Sequence, residues 1–277
     1  MELKTLLDTP PWEWPRDAAK TFQNLLIDRQ ADEPDRLIAA KLAGDFTVIN
    51  DALADALMAI VRNNDESEEL RARAAISFGP ALEHAYTYEF DDPDDTPISE
   101  RTFHNIQNLL QKLYLDNSVP KEIRRRILEA SVRAPEDWHK DAIKSAYISG
   151  DQEWMLTAVF SMRWVRGFDE QILEALKNAD PEIHYEAVNA AGDREVGAAW
   201  PHIKALVQNS STPKPLLLAA IGAAADIRPG EAEAILSHLV DSNDEEIAEA
   251  VNETIEMAQV MSGQTDEEED LSGEWIN

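Results

Sequence analysis

The chain has 277 residues, 44% of them apolar, and a formal net charge of −29 from 54 acidic and 25 basic side chains. This excess of negative charge argues against nucleic acid and anionic membrane surfaces as ligands, because both select basic protein faces. Cysteine is absent, which excludes disulfide bonds, thiolate catalysis and cysteine-ligated zinc. No apolar run approaches the roughly 18 residues of a membrane-spanning helix, and a cytoplasmic location is therefore expected.

Residues 1–16 are predicted to form an N-terminal arm, because three prolines prevent a continuous helix there. Trp12 and Trp14 lie among these prolines. The arm has two interpretations, an aromatic hook for a partner or a cap that folds over the first apolar face, and the cap is favoured. It contains no basic segment followed by an apolar core, so it is not expected to be a signal peptide.

The first helix is expected to begin near Asp17, and two helix pairs are predicted at residues 34–63 and 66–90. The first pair breaks at Gly44-Asp45 and diverges from the later pairs, as is common for the end of an array of repeats.

An acidic insertion follows at residues 87–100, TYEFDDPDDTPISE, where two prolines predict a loop. Its aspartates do not have the EF-hand spacing, since glycine and glutamate are missing at the sixth and twelfth positions. A solvated loop and a docking loop for a basic partner remain as alternatives. The aspartates are Asp91, Asp92, Asp94 and Asp95.

The segment DPEIHYEAVNAAG at residues 180–192 is the clearest copy of a repeated helix. Asp180 is a predicted N-cap, and Ile183, Ala187 and Ala191 form one apolar stripe at helical spacing. Gly192 is expected to end the helix with a positive φ. Related segments recur after 31, 29, 32 and 31 residues at Ile123, Trp154, Ile183, Pro215 and Glu246.

A second apolar stretch separates successive copies, so each unit is predicted to be helix, turn, helix in about thirty residues. The repeated motif is a hydrophobic residue and an arginine, then two variable residues and a pair of alanines. It is clearest in LRARAAISFG at 70–79, and IHYEAVNAAG at 183–192 is similar. It resembles the HEAT-like repeat family, in particular the short bacterial type first named after phycobilisome lyases. The resemblance covers about residues 34–258. It implies an all-α, armadillo-like superhelix of about six or seven helix pairs, placed at residues 17–260.

Residues 261–277 are predicted to be a disordered acidic tail, in which Trp275 is either a docking motif or simply part of a solvated segment.

The sequence contains no HExxH, GxSxG, GxGxxG or P-loop motif, and its six histidines show no i, i+4 pair. No catalytic residue, metal site or cofactor is therefore predicted. His139, His184 and His238 are interpreted as surface or inter-helix polar residues.

A binding role is the remaining interpretation, and tryptophan and arginine are the side chains that most often anchor interfaces. Trp164 and Arg166 lie in the turn of the fourth unit, and Trp200 and His202 open the second helix of the fifth. Packing between repeats is the alternative for each tryptophan.

The predicted function is a non-catalytic protein-interaction scaffold for a basic or mixed-charge partner. The charge has a second explanation, an acidic bias of the whole proteome, as in salt-adapted organisms. Two other functions stay open: a phycobilin lyase-like or bilin-binding chaperone role, which the resemblance implies, and a self-associating structural role.

Overall fold

The computed structural model describes residues 3–90 and 96–272, and every regular element in these ranges is helical. The predicted all-α class is confirmed. The chain divides into two compact units, Met1–Ala142 and Ile143–Asn277. Within the described ranges, no helix combines the length and the apolar character needed to cross a bilayer.

The first unit contains eight complete α-helices within its described residues. They are α1 (Leu3–Leu7), α2 (Ala18–Ile27), α3 (Glu33–Ala43), α4 (Asp51–Arg62), α5 (Glu68–Ile76), α6 (Gly79–Tyr88), α7 (Glu100–Leu115) and α8 (Lys121–Ser131). The division between the units falls inside α9 (Asp137–Tyr147).

The helices of the second unit are α10 (Gln152–Ser161), α11 (Asp169–Ala175), α12 (Pro181–Asp193), α13 (Trp200–Gln208), α14 (Lys214–Ile227), α15 (Pro229–Leu236) and α16 (Glu245–Ser272). The last of these runs through the first part of the predicted tail. Residues 273–277, which include Trp275, lie outside the described ranges.

The first helices of the repeats follow the period that the sequence predicts. Helices α8, α10, α12, α14 and α16 begin at residues 121, 152, 181, 214 and 245, which are 31, 29, 33 and 31 residues apart. In the first unit α3 packs on α5 and α5 on α8; in the second, α10 packs on α12, α12 on α14 and α14 on α16. The HEAT-like arrangement of stacked helix pairs is therefore confirmed.

The small residues of the first helices permit close approach between repeats. A Cβ placed on Gly192 would lie 3.0 Å from Cα of Ala223 on the neighbouring α14. The predicted positive φ at Gly192 is wrong, because α12 continues to Asp193 and the left-handed conformation falls on Glu195, with φ of 52°. The structure requires glycine at position 192 because a side chain there would collide with α14, and not because the backbone turns there.

An arginine recurs at the fourth residue of three first helices. Its guanidinium donates a hydrogen bond to a carbonyl oxygen ten residues upstream, at or near the end of the preceding helix. Such carbonyls lack a partner within their own helix, so the arginine ties two successive helices together. The pairs are Arg36 to Leu26 at 3.1 Å, Arg71 to Val61 at 3.1 Å and Arg124 to Tyr114 at 2.8 Å.

The N-terminal arm packs on the first helices, with Leu6 buried. The indole Nε1 of Trp14 donates to the carbonyl oxygens of Leu6 at 3.0 Å and Thr9 at 2.9 Å, and its ring meets Phe22 edge-on at 5.5 Å. This is the geometry of a cap. Trp12, in contrast, is 79% exposed and is the tryptophan of the arm that faces solvent.

Candidate interaction surface

The turn that follows α10 presents an aromatic and a cationic side chain together. The rings of Phe160 and Trp164 lie 4.9 Å apart between centroids. The Arg163 guanidinium lies 5.1 Å from the centroid of Trp164 and 6.0 Å from that of Phe160, within the range of cation–π attraction. Trp164 is half-buried, so this packing fixes its ring while part of the ring stays accessible.

Contacts with α12 hold this turn in place. Arg163 Nε donates to the carboxylate of Asp193, and Arg163 Nη1 lies 3.9 Å from Glu186 Oε2. Arg194 Nη1 donates to the carbonyl oxygen of Arg163 at 3.3 Å. The turn and the end of α12 therefore form one polar junction next to Trp164.

Three carboxylates lie beside this junction, on Asp193, Glu195 and Asp226, and we call them the acidic edge. Asp193 and Asp226 lie in the last turns of α12 and α14, and Glu195 comes just after α12, so the helix dipoles add further negative potential at all three carboxylates. Burial raises the pKa of the Asp226 carboxyl, and the charges of Asp193 and Glu195 raise this pKa further. The acidic edge is therefore a place where a cation from outside would be stabilised.

The predicted partner-binding residues have different environments. Arg166 is exposed, just before Gly167 with its φ of 94°. Trp200 is only 8% exposed, which matches the alternative of packing between repeats. The four aspartates of the predicted docking loop, at 91, 92, 94 and 95, lie outside the described residues.

His202 contacts the side chain of His184, a contact that the sequence did not predict. Its Nε2 lies 2.8 Å from Nε2 of His184, and the rings are inclined at 67° with centroids 5.0 Å apart. Burial lowers the pKa of both imidazoles, and His184 and the Lys177 charge lower the pKa of His202 further. The two histidines are 18 residues apart, on α12 and α13, so no local spacing signals the contact.

Comparisons with solved structures give matches of low sequence identity and low TM-score. No protein-family model and no curated protein matches the chain. Human deoxyhypusine hydroxylase in complex with glycerol is 13% identical, with a TM-score of 0.41 over 93% of this chain and 88% of that one. An engineered protein is 18% identical, with a TM-score of 0.36 over 89% of this chain and 98% of that one. YibA from E. coli is 11% identical, with a TM-score of 0.38 over 88% of this chain and 98% of that one. At these values the similarity carries nothing about function.

Proposed function

We propose that the chain is a non-catalytic scaffold whose second unit binds a basic segment of a partner protein at the acidic edge. The observation that carries the proposal is the placement of Asp193, Glu195 and Asp226 at the C-terminal ends of α12 and α14. Burial raises the pKa of Asp226, and the neighbouring negative charges raise this pKa further. Arg163 pairs with Asp193, while Glu195 remains exposed to solvent. A lysine or arginine from a partner would relieve this repulsion.

The surroundings of the acidic edge suit such a partner. Trp164 offers an aromatic face beside the carboxylates, and aromatic anchors with a charged rim are common at binding surfaces. The net charge of −29 would also speed the approach of a basic partner, because opposite charges steer diffusional encounter. Binding by this mechanism should weaken as salt screens the charges.

The binding test uses a fluorescently labelled peptide rich in lysine and arginine, followed by anisotropy at low and at high salt. The double variant Glu195→Gln and Asp226→Asn removes two charges and leaves the pair of Arg163 with Asp193 intact. The matched control removes two exposed charges elsewhere in the unit, with Glu249→Gln and Glu253→Gln.

We expect the acidic-edge variant to bind the peptide at least about tenfold more weakly than the wild type, a loss of roughly 1.4 kcal/mol. The control should stay within about twofold. Equal weakening in both variants would mean that overall charge, and not this surface, attracts the peptide. That result would refute the proposed site and favour a general acidic bias of the protein.

The natural partner is sought by capture from lysate with the same variants, followed by mass spectrometry. A separate variant, in which the aspartates at 91, 92, 94 and 95 become asparagine, tests the predicted docking loop. Substitution is preferable to deletion of residues 90–98, because Ile98 is buried at 2% exposure. Saturable turnover that depends on one carboxylate would overturn the non-catalytic part of the proposal.

The bilin-binding and self-association alternatives stay predictions. A visible absorption band after incubation with phycocyanobilin would support the first, and a dimer in light scattering would support the second.

A further inference from the structure

Basic side chains lie at the C-terminal ends of three first helices in the first unit. Lys41 is in the last turn of α3, Arg73 is in the last turn of α5, and Arg133 follows the end of α8 by two residues. Helix α3 packs on α5, and α5 packs on α8, so the cations belong to successive repeats. They lie in an acidic unit, because residues 1–142 contain 28 acidic and 17 basic side chains, a net charge of −11.

These three side chains line one open groove with a volume of about 430 Å³, which we call the basic groove. Its floor is firm, because Ser77 Oγ donates to the carbonyl oxygen of Ala40 at 2.7 Å and joins the ends of α5 and α3. Gly44 comes so close to Ser77 that a Cβ on the glycine would lie 2.2 Å from the serine carbonyl oxygen. A surface that is ordered before binding loses little conformational entropy when a ligand arrives.

One side of the basic groove is apolar. Leu7, Ile76 and Pro80 line it, and Leu7 is 40% exposed. The arm that carries Leu7 is held in place by the hydrogen bonds of the Trp14 indole. An aliphatic side chain of a ligand would therefore find an apolar contact next to the cations.

Two of the three cations are available to pair with a ligand. Lys41 and Arg73 are exposed, and within residues 3–90 and 96–272 neither side chain makes a hydrogen bond or an ion pair. The acids close to the groove are already engaged. Glu83 accepts a hydrogen bond from Arg133 Nη1 at 2.8 Å, and Asp45 accepts two from the residue two positions later.

The succession of the cations suits an extended ligand. Helices packed side by side lie about 8–10 Å apart, so neighbouring repeats present their cations at steps of about this size. A polyproline-like segment has three residues per turn and rises about 3.1 Å per residue. Every third side chain of such a segment lies on the same side, about 9 Å from the last, and carboxylates at this spacing would face successive cations.

We propose that the basic groove binds an extended acidic segment of a partner protein, with Asp or Glu at every third residue and an aliphatic residue against Leu7. Charge complementarity with Lys41, Arg73 and Arg133 carries the proposal. A cation in a last helical turn also offsets the helix dipole, so the experiment has to separate ligand binding from helix stability.

The probe is the fluorescein-labelled peptide EPLEPAEPA, followed by anisotropy at low and at high salt. The peptide EEEPLPAPA has the same composition with its glutamates clustered. The groove variant is Lys41→Gln with Arg73→Gln. The matched control is Arg62→Gln with Lys112→Gln, because these exposed cations also lie in last turns, those of α4 and α7.

The wild type should bind the spaced peptide saturably, and high salt should weaken this binding. The groove variant should bind at least about fivefold more weakly, since the loss of one exposed ion pair changes an equilibrium by up to about fivefold. The control should stay within about twofold, and urea unfolding should show similar losses of stability in both variants. No saturable binding, equal binding of the clustered peptide, or equal weakening in both variants would each overturn the proposal. A groove variant that alters the sedimentation of the chain alone would mark the groove as an interface between copies, and the proposal would be wrong.

A double-mutant cycle tests the apolar contact. Leu7→Ala in the protein and leucine to alanine in the peptide each remove one side of it, so the combined loss should be smaller than the product of the separate fold-changes. Losses that multiply would refute the placement of the leucine. The proposal is independent of the acidic edge, because Glu195→Gln with Asp226→Asn should leave binding of EPLEPAEPA within about twofold of the wild type. Either proposal can therefore fail while the other stands.

Discussion

Acidification is expected to destabilise the first unit through His139, whose side chain is fully buried. The backbone N–H of Glu136 donates to Nδ1 of His139 at 2.8 Å, and Nε2 of His139 lies 2.9 Å from Ser131 Oγ. Since Nδ1 accepts a hydrogen bond, the ring carries its single proton on Nε2 and donates it to Ser131. Protonation of Nδ1 would break the bond from the Glu136 N–H and place a charge in the core, and donation to the Glu136 carbonyl oxygen at 3.2 Å would offset only part of this cost.

The magnitude follows from the difference in pKa between the folded and unfolded states. Burial lowers the pKa of His139 from 6.5 to about 4. The unfolded chain therefore takes up a proton at a higher pH than the folded chain, and stability falls as the pH drops from about 6.5 toward 4. With about 1.4 kcal/mol per pKa unit, the loss between pH 7 and pH 5 is about 2 kcal/mol.

The assay is urea unfolding of the wild type and of His139→Gln at several pH values from 7 to 5. Glutamine keeps an N–H donor for Ser131 but does not titrate. The many carboxylates affect both proteins alike, so the difference between their free energies of unfolding isolates His139. The range ends at pH 5 because the sequence pI is about 4.4, where low net charge promotes precipitation.

We expect the advantage of the wild type over His139→Gln to shrink by about 2 kcal/mol across this range. Resonances of His139 in nuclear magnetic resonance spectra should meanwhile show no titration down to pH 5. Parallel stability curves for the two proteins, or a His139 titration near pH 6.5, would refute the argument that burial keeps His139 neutral.

Two pairs of substitutions test the packing of the first helices by urea unfolding. Arg36→Met should cost about 3 kcal/mol, because it leaves the largely buried Glu66 carboxylate without its ion pair at 2.6 Å. Arg71→Met should change stability by less than about 1 kcal/mol, because loss of the bond to the Val61 carbonyl is offset by removal of a buried charge that burial disfavours. Equal costs for the two arginines would refute the distinction. Gly44→Ala should cost about 3 kcal/mol or more, since its Cβ would lie 2.2 Å from a backbone oxygen. Gly222→Ala, with no atom within 4 Å, should stabilise α14 by about 0.5–1 kcal/mol, and a loss there would contradict the helix-entropy argument.

The features predicted correctly from the sequence depend on neighbours within a few helical turns. Asp180 caps α12 as expected, accepting from the N–H groups of Glu182 at 2.9 Å and Ile183 at 3.0 Å. The period of the repeats could also be predicted from the sequence, because each unit must present a similar apolar stripe to the next. Caps and repeat periods can be recognised from residues that are close in the sequence, without knowing how the units stack.

The features that sequence analysis missed depend on which side chains the stacking brings together. Arg163 and Asp193 are 30 residues apart, and only the packing of α10 on α12 places them in contact. Gly192 looked like a helix end because glycine often has that role, whereas the approach of α14 is what excludes a side chain there.

Departures from the repeat pattern are the most informative positions in such a chain. In the first unit the arginine at the fourth position joins successive helices, and this contact is the one that the three copies share. In the second unit the same position holds Met155 in α10, His184 in α12 and Leu217 in α14. Leu217 is buried and replaces the polar tie by apolar packing, whereas the sulfur of Met155 accepts a hydrogen bond from Nδ2 of Asn178 at 3.5 Å. His184 likewise contacts a residue further along the chain, His202, so in α10 and α12 this position is joined to a later segment and not to the end of the preceding helix.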